Sequence, residues 1–328
     1  MSDASLEELA ALEVFADIPA EDLMALAADL MPLYAAAGEV LMRQGDRAES
    51  FIVVTCGRVA IRHVDDDGQI AVTELSPGRI IGEIALLRNA LRTATVIAQD
   101  DVRGYLGYAD AFERMLDIPV VAERMVRTAR QRLAADLAPI RLLAVNGIEL
   151  MLRPVLPGDA ERFQSSGVFS RETLHRRFLS SYALTEARLA YLFEVDYVDH
   201  FVWVLTSGVD GPVIGDARFV RDKDEPTSAE IAITVADAYQ CRGIGTLLLA
   251  ALAIAARTDG IERFYALVLY ANDAARALGS KLAVRWGQEE PGVVSTTFEV
   301  SSVDTSSLEE QLRRQILHAA RQVIHAFD

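Results

Sequence analysis

Short apolar segments separated by glycine-containing turns fill the chain between residues 38 and 106, and they restrict the fold of the first half to very few solutions. Strands are predicted at residues 38–46, 51–54, 59–63, 70–75, 93–98 and 102–106. Many short strands at regular spacing with glycine-rich turns are typical of a β-barrel or jelly roll. Residues 6–33 and 110–137 have apolar residues at helical spacing, so helices are expected to flank the strands.

The second half mixes helical and extended patterns without strict alternation, which predicts a mixed α/β domain and an α+β protein of two domains. Pro139 is expected to end the preceding helix, because proline disfavours helical geometry in the residue before it. Strands are predicted at residues 151–155, 201–206, 213–221, 229–235, 264–269 and 293–300, and helices at 171–182, 185–193, 247–258 and 273–282. We predict a first domain over residues 1–140, a linker over 141–152, a second domain over 153–304 and an amphipathic helix over 305–328.

Composition excludes several classes of protein. The 328 residues are 51% hydrophobic, which excludes a disordered chain, and the formal charge of −16 argues against a nucleic-acid partner, which needs a basic face. The longest uncharged apolar stretch, Gly243–Ala256, is shorter than the ~20 residues of a membrane-spanning helix. Two distant cysteines, Cys56 and Cys241, form no disulfide framework, and the five histidines show no metal-ligand spacing. We expect a cytoplasmic protein with no bound metal and no membrane partner.

The segment Gly82–Leu87, followed by Arg92 and Thr93, has the composition of a phosphate pocket. A glycine that leads into a short helix exposes backbone N–H groups that suit an anion. The planar guanidinium of Arg92 can pair with a phosphate, and the Thr93 hydroxyl can add a hydrogen bond. Glu83 can accept a hydrogen bond from a ribose hydroxyl. The alternative is an exposed Glu–Arg pair on a turn.

This segment resembles the phosphate-binding cassette of cyclic-nucleotide-binding domains, and the likeness covers about residues 10–137. The resemblance implies that Glu83 holds the ribose 2′-hydroxyl group. It also implies that the cyclic phosphate is held by the side chains of Arg92 and Thr93 and by the backbone of Gly82, Ile84 and Ala85. The implied ligand is cAMP, although Thr93 also permits cGMP. In this family the following helix, here within residues 119–137, caps the base.

A second anion site is predicted where the strand Glu230–Val235 is followed by the loop Gln240–Thr246 and a long apolar helix. Glycines at a helix N-terminus direct several N–H groups to one point and let a pyrophosphate approach closely. The loop lacks the third glycine of a dinucleotide-binding fingerprint and the Gly-Lys-Ser/Thr ending of a P-loop.

The Gln-x-x-Gly-x-Gly pattern after a strand is similar to the acetyl-CoA loop of the GNAT acetyltransferases, over about residues 151–300. The resemblance implies that the pantetheine arm is bound by Ile233, Thr234 and Val235, the pyrophosphate by Cys241, Arg242, Gly243, Ile244, Gly245 and Thr246, and a further part of the cofactor by Asn272. Lys281 and Arg276 are weaker candidates for the outer phosphates. Both are explained equally well as solvated charges on a helix. The chain departs from many relatives at Cys241, where they carry glycine, and at Gly279, where they carry a tyrosine acid.

The chemistry expected of such a site needs a base, since a lysine amine with a pKa of ~10.4 is protonated at neutral pH. Glu230 begins the strand with the cofactor contacts and can take the proton directly or through a water; the alternative is an exposed glutamate at a strand start. The Val235 N–H group is the natural donor to the developing oxyanion. We predict direct transfer with no acyl-enzyme. Cys241 as a nucleophile competes with this mechanism, but no His or Asp flanks it.

Together the two halves resemble the cAMP-regulated protein lysine acetyltransferases of mycobacteria, with the likeness extending through Tyr191–Trp203. This implies acetylation of acyl-CoA or acetyl-CoA synthetases and of a universal stress protein. It also implies an autoinhibitory lid, which we place within residues 153–200. The segment that transmits cAMP binding to this lid, the lever, is placed within residues 119–137. Three alternatives stay open: a nucleotide-responsive transcription factor, which would need a helix-turn-helix after the strands, a non-catalytic cyclic-nucleotide sensor, and a small-molecule amine acetyltransferase.

Overall fold

A computed structural model divides the chain at Ala129 into two units, each with its own hydrophobic core. The first runs up to Ala129 and includes Phe327, and the second runs from Arg130 to Ala326. The structure describes residues 5–64, 68, 70–145, 148–165, 167–179, 185, 189, 192–193 and 195–327. Most of the helix predicted at 185–193, and with it part of the predicted lid, lies outside these residues.

The first unit contains two antiparallel sheets of four strands each, as the jelly-roll prediction requires; no closed barrel forms among the residues described. Their strand orders are β1-β8-β3-β6 and β2-β7-β4-β5, where the strands are β1 (Met31–Ala35), β2 (Val40–Met42), β3 (Ser50–Cys56), β4 (Val59–Val64), β5 (Ile70–Leu75), β6 (Arg79–Ile81), β7 (Thr95–Ala98) and β8 (Val102–Tyr108). The helices are α1 (Leu6–Ala10), α2 (Ala20–Ala28), α3 (Glu83–Leu87), α4 (Ala109–Leu116) and α5 (Pro119–Asp136), the last of which continues into the second unit.

Strand β3 explains why the first unit has cores on both faces of one sheet. Its residues alternate between the faces, as in any strand. Phe51 and Val53 pack with the flanking helices, whereas Ile52 and Val54 pack in the core between the two sheets. Strand β1 was not predicted, because its residues continue the helical spacing of the preceding segment; the helix instead ends at Ala28 and β1 pairs with β8.

The second unit is built on one sheet of eight strands, which confirms the predicted mixed α/β domain. The order is β15-β16-β14-β13-β12-β11-β10-β9, with β9 (Ile140–Val145), β10 (Ile148–Pro154), β11 (His200–Ser207), β12 (Val213–Arg221), β13 (Ser228–Val235), β14 (Arg263–Leu269), β15 (Gly287–Glu290) and β16 (Val293–Glu299). The helices are α6 (Asp159–Ser165), α7 (Arg171–Phe178), α8 (Ile244–Thr258), α9 (Asp273–Ser280) and α10 (Glu310–Ile324). All strand pairs are antiparallel except β13 with β14.

Residues 141–145 and 148–152, which belong to the segment that the sequence suggests as a linker, are instead part of this sheet. Strands β9 and β10 pair with each other, and β10 also pairs with β11. The physical reason is the apolar content of the segment: Leu150, Met151 and Leu152 are buried, and burial of such side chains is worth about 2 kcal/mol each. A segment that buries this much apolar surface is not a solvated linker.

Helix α8 contains the longest uncharged stretch of the sequence and is buried from Leu248 to Ala256. It lies against β12 and β13, and α10 packs beside it. No helix among the described residues is long and apolar enough to cross a membrane.

Candidate functional site

The central feature of the second unit is the point where two neighbouring strands separate. Strands β13 and β14 pair in parallel only at Ser228–Glu230 with Arg263–Tyr265, although both strands continue beyond this ladder. A cavity of about 620 Å³ lies along the separated part and is lined by residues of both strands. Separation of paired strands leaves main-chain hydrogen-bonding groups available to a ligand.

The direction of the free groups on β13 follows from one hydrogen bond. The N–H group of Ala236 donates to the Ile214 carbonyl, at 2.8 Å, on the side of β12. Because main-chain groups of successive strand residues point to opposite edges, the N–H groups of Val235 and Ile233 point toward the separated edge. Both residues line the cavity. The binding of the cofactor by Ile233 and the donor role of Val235 stay predictions, and both N–H groups lie on the cavity side of β13.

The loop after β13 is shaped for an anion. Gly243 has a φ of 83° and immediately precedes α8, and Cys241 also has a positive φ, of 58°. A Cβ atom at Gly243 or Gly245 would meet no protein atom within 4 Å, so both glycines face open space. The unpaired N–H groups of the first turn of α8 can therefore be reached by a pyrophosphate.

Gln240, which the motif contains but the sequence did not assign to the site, fixes this loop to the strand. Its side-chain Nε2 donates to the Val235 carbonyl at 2.9 Å. The same nitrogen lies 3.3 Å from the Thr173 hydroxyl on α7. The Gln240 amide therefore connects the loop, strand β13 and helix α7, which all contribute to the cavity wall.

The large cavity brings together most of the residues assigned to acetyl-CoA. Those that line it are Ile233, Thr234, Val235, Cys241, Gly243, Gly245, Thr246, Asn272 and Lys281. Lys281 Nζ donates to the Thr246 hydroxyl at 2.9 Å, and Asn272 caps α9 by accepting the Ala275 N–H at 3.2 Å.

Three of the named residues are placed elsewhere. The Ile244 side chain is buried in the core, since it lies on the inner face of α8, so only its backbone remains near the loop. Arg242 is exposed and does not line the cavity. The guanidinium of Arg276 lies over the Tyr270 ring, 4.7 Å from its centroid. Arg276, the weaker candidate for a phosphate, therefore makes a cation–π contact instead.

Glu230 lies where the large cavity meets a smaller one. The smaller cavity, of about 200 Å³, is lined by Arg177, Phe178, Leu192, Arg218, Val220, Glu230, Ile231 and Ala232. Glu230 is exposed, and it is shared by both linings together with Ile231 and Ala232. A carboxylate between two connected cavities can remove a proton from a group that enters one and attacks a group held in the other.

Arg218, which lines the smaller cavity, forms a buried ion pair with Asp216. Arg218, 3% exposed, donates from Nη2 and Nε to one oxygen of Asp216, 1% exposed, at 2.6 and 2.9 Å. Burial by itself raises the pKa of Asp216, but the charge of Arg218 and its hydrogen bonds outweigh burial and hold the pKa below its usual range. Arg218 also donates to the Leu192 carbonyl. Sequence reasoning missed this pair, although opposite charges two residues apart within an apolar strand signal a shared buried face.

His200 is not available as a base in this site. Burial, together with the charges of Arg218 and Arg177, lowers the pKa of His200 to about 3. The imidazole is therefore neutral at physiological pH and binds a proton only at much lower pH. Within the described part of the chain, no group of three or more His, Cys, Asp and Glu side chains could hold a metal ion.

In the first unit, the predicted cassette brings Gly82, Glu83 and Arg92 together. Gly82 has a φ of 89°, and a Cβ atom there would lie 2.6 Å from Arg92 Nη1 and 2.8 Å from Met42 Cε. The backbone conformation favours glycine, and a Cβ atom would displace the ends of the Arg92 and Met42 side chains. Arg92 Nη1 donates to the Gly82 carbonyl at 2.9 Å, and Nη2 donates to the Ser50 carbonyl.

Burial of these charges favours an anionic ligand. Glu83 is 2% exposed and Arg92 is 6% exposed. Burial lowers the pKa of Arg92, while the charges of Glu83 and Asp46 work in the opposite direction; a guanidinium nevertheless stays charged. Nη2 also lies 3.4 Å from the Ser50 hydroxyl, whereas Nη1 carries a second hydrogen that Arg92 can donate to a phosphate. Thr93 is exposed, and its carbonyl lies 2.6 Å from His63 Nδ1.

Comparisons with known proteins agree with this division. The cyclic nucleotide-binding domain model matches residues 32–118, and the acetyltransferase (GNAT) family model matches residues 171–282. Acetyltransferase Pat of Mycolicibacterium smegmatis is 50% identical over 327 residues, which cover 99% of this chain and 98% of the relative. A Pseudomonas aeruginosa acetyltransferase is 31% identical over 150 residues, covering 44% of this chain and 80% of the relative.

A solved structure extends the likeness to nearly the whole chain. It is a cAMP-binding acyltransferase from Mycobacterium smegmatis, with 47% sequence identity and a TM-score of 0.53. The match covers 98% of this chain and 97% of the solved one.

Proposed function

Because the chain belongs to the family of acetyltransferases that join a cyclic-nucleotide-binding domain to a GNAT domain, we propose that it acetylates protein lysines under the control of cAMP. It is a GNAT acetyltransferase and uses acetyl-CoA as its co-substrate. The observation that carries the proposal is the position of Glu230, at the junction of a cavity that fits acetyl-CoA and a smaller cavity that can admit an acceptor.

The lining of the large cavity offers acetyl-CoA suitable hydrogen-bonding groups. Ile233 N–H faces the path of the pantetheine arm, and the first turn of α8 with Thr246 suits the pyrophosphate. Lys281, already hydrogen bonded to Thr246, supplies a positive charge beside that group. Acetyl-CoA supplies the thioester carbon that is attacked.

The reaction proceeds by direct attack of the lysine amine on that carbon. Glu230 takes a proton from the lysine ammonium before the attack, directly or through one water, and the nitrogen loses its second proton to water once it has bonded to the acetyl carbon. The Val235 N–H stabilises negative charge on the carbonyl oxygen. The carbon–sulfur bond then breaks and the sulfur leaves with its electron pair. Cys241 lies in the pyrophosphate loop, a part of the cavity distinct from the Glu230 junction, so no acyl-cysteine step is needed.

The smaller cavity suits a single unbranched side chain. Phe178, Leu192 and Ile231 provide apolar surface for the methylene stem of a lysine. Glu230 provides the carboxylate for the amine, in a lining that also contains Arg177 and Arg218. By family resemblance the acceptor proteins are acyl-CoA and acetyl-CoA synthetases and a universal stress protein. A small-molecule amine is the second candidate acceptor, since the size of the cavity admits one.

Cyclic AMP is the ligand proposed for the first unit. Glu83 would accept the ribose 2′-hydroxyl, and Arg92 with Thr93 and the backbone of Gly82–Ala85 would bind the cyclic phosphate. For cAMP to activate the enzyme, it must bind the active conformation better than the inactive one. We place the inhibitory lid within residues 153–200, because Thr173, Arg176, Arg177 and Phe178 of α7 already form a wall of the acetyl-CoA cavity.

The test is acetylation of a purified acyl-CoA synthetase, followed by mass spectrometry of its lysines, with and without cAMP. The proposal predicts acetyl-lysine that depends on the enzyme and increases with cAMP. Acetylation of a polyamine but of no protein would replace it with the small-molecule function. Binding of acetyl-CoA and cAMP without any transfer would leave a non-catalytic sensor.

A further inference from the structure

Helix α9 lacks a side chain at the position where the GNAT resemblance leads one to expect a tyrosine acid, and another residue fills the space. That position is Gly279, which is buried. A Cβ atom on Gly279 would lie 2.7 Å from Cζ2 of Trp286 and 2.9 Å from a methyl group of Val284. The indole therefore occupies the volume into which a side chain at residue 279 would extend.

Trp286 lies directly before β15, the edge strand of the sheet, and it lines the large cavity. It precedes Gly287, which lies opposite Ser295 of β16, and Ser295 lies opposite Leu267 of β14. The ladder between β14 and β13 ends at Tyr265, two residues earlier. Trp286 lines the same cavity as Glu230 and Val235.

The polar edge of the indole is available to a ligand. Trp286 is half-buried, and its N–H group makes no hydrogen bond to any residue that the structure describes. The ring carbon that carries this nitrogen, Cε2, lies 3.4 Å from the Cβ position of Gly279, so the N–H edge of the ring is near α9. Most buried or half-buried tryptophans engage their N–H group, which makes an unpaired one at a cavity wall informative.

We propose that Trp286 donates its indole N–H to the sulfur of acetyl-CoA as that sulfur leaves. The inference rests on the proposed reaction, in which the amine nitrogen bonds to the acetyl carbon and the carbon–sulfur bond breaks. The first proton of the lysine ammonium goes to Glu230, the second goes from the acylated nitrogen to water, and the electron pair of the broken bond stays on sulfur. The indole keeps its proton throughout, and the free thiolate takes a proton from water afterwards.

The leaving sulfur needs only a hydrogen-bond donor at this position and not a group that gives up its proton. A thiol has an ordinary pKa of ~8.5, so its anion is a far better leaving group than an alkoxide and needs no proton at the moment of bond cleavage. A hydrogen bond to a charged group is worth about ten- to a hundredfold in an equilibrium or a rate. Trp286 would thus stabilise the same charge that a tyrosine acid neutralises, from the same side of the cavity.

The experiment compares binding of CoA and of desulfo-CoA, which lacks the thiol, to the full-length protein between pH 7 and pH 9.5 by calorimetry. If the indole N–H binds the thiolate, raising the pH strengthens binding of CoA relative to desulfo-CoA about tenfold in the wild type. In Trp286→Phe, which keeps an aromatic ring and loses the donor, this preference is lost. Trp286→His retains a ring N–H and is expected to fall between the two.

Trp203→Phe is the matched control, since its indole N–H donates to the Ala251 carbonyl in the core, at 3.1 Å. That variant is expected to be less stable but to keep the pH-dependent preference for CoA. In parallel, Trp286→Phe should lower kcat about ten- to a hundredfold with little change in KM for acetyl-CoA.

An unchanged pH-dependent preference in Trp286→Phe overturns the inference and leaves the indole as an apolar wall. Because this assay needs neither cAMP nor an acceptor, the inference can fail while the proposed function stands. Absence of CoA binding in the wild type would overturn both.

Discussion

Asp237 accepts two hydrogen bonds from Ser170, one from the backbone N–H at 2.9 Å and one from the hydroxyl at 2.8 Å. A third comes from the Thr173 hydroxyl at 3.0 Å. Partial burial raises the pKa of Asp237, but these hydrogen bonds outweigh it and lower the pKa below its usual range. A charged carboxylate next to the pyrophosphate loop therefore fixes the start of α7, the helix that forms one wall of the acetyl-CoA cavity.

Replacing Asp237 with alanine is expected to raise the activity measured without cAMP. The substitution removes three hydrogen bonds to a charged group and so weakens the hold on α7, which we assign to the lid. The rate of CoA release without cAMP should rise at least about fivefold, and stimulation by cAMP should shrink accordingly. Ser170→Ala removes one of the three bonds and also the N-cap bond that the Ser170 hydroxyl accepts from the Thr173 N–H at 3.1 Å, so it should act in the same direction. An unchanged basal rate in both variants would show that this contact does not hold the inactive state.

Glu230→Gln is expected to lower kcat by a factor of about 10² to 10⁴, because the amine then loses its base. KM for acetyl-CoA should change little, since the cofactor contacts lie on other residues. The remaining activity should increase with pH as the acceptor amine loses its proton unaided. Steady-state kinetics at saturating acetyl-CoA measure this, with Glu262→Gln, an exposed carboxylate of the same unit, as the control. Full activity of Glu230→Gln would remove Glu230 from the role of base.

The sequence predicts most strands of both units because their apolar residues repeat with a period of two and are bounded by glycine turns. The cassette and the Gln-x-x-Gly-x-Gly loop are local in sequence, so they could be assigned before the fold was known. The left-handed φ of Gly82 next to Arg92, and the open space above Gly243, are compatible with those assignments.

Contacts between distant segments could not be predicted. The point at which β13 and β14 separate depends on the register of two strands that are far apart in the chain, which no local pattern encodes. For the same reason the packing of α7 against the cofactor cavity, through Ser170 and Asp237, was missed. Strands β9 and β10 were mistaken for a linker because Pro139 marks the end of a helix but carries no information about the element after it.

Arg92→Ala is expected to weaken cAMP binding by at least about tenfold, because the buried guanidinium is the proposed cation for the cyclic phosphate. The rate without cAMP should stay near that of the wild type. Calorimetric titration with cAMP provides the measurement, and Arg62→Ala, which removes an exposed arginine of the same unit, provides the comparison. A melting curve checks the fold, since Arg92 also binds the Ser50 and Gly82 carbonyls. Wild-type affinity in Arg92→Ala would mean that the phosphate binds elsewhere.

His200 is expected to make stability depend on pH below about 6.5. In the folded state its pKa is about 3, whereas the unfolded chain has the ordinary value of ~6.5, so the unfolded state binds more protons between these values. His200 therefore leaves the free energy of unfolding unchanged above pH ~6.5. Below that pH it lowers the free energy of unfolding by about 1.4 kcal/mol per pH unit as the pH drops toward 3. Urea unfolding at pH 7 and pH 5 should show about 2 kcal/mol more loss in the wild type than in His200→Gln. Equal losses in the two proteins would contradict burial of a neutral imidazole.

The most direct test of the whole account is the rate of CoA release with an acyl-CoA synthetase as acceptor, measured with and without cAMP on the wild type, Arg92→Ala and Glu230→Gln. The account predicts that cAMP increases the wild-type rate, that Arg92→Ala retains the basal rate but loses the increase, and that Glu230→Gln is slow under both conditions. A wild-type rate that is the same with and without saturating cAMP would contradict it.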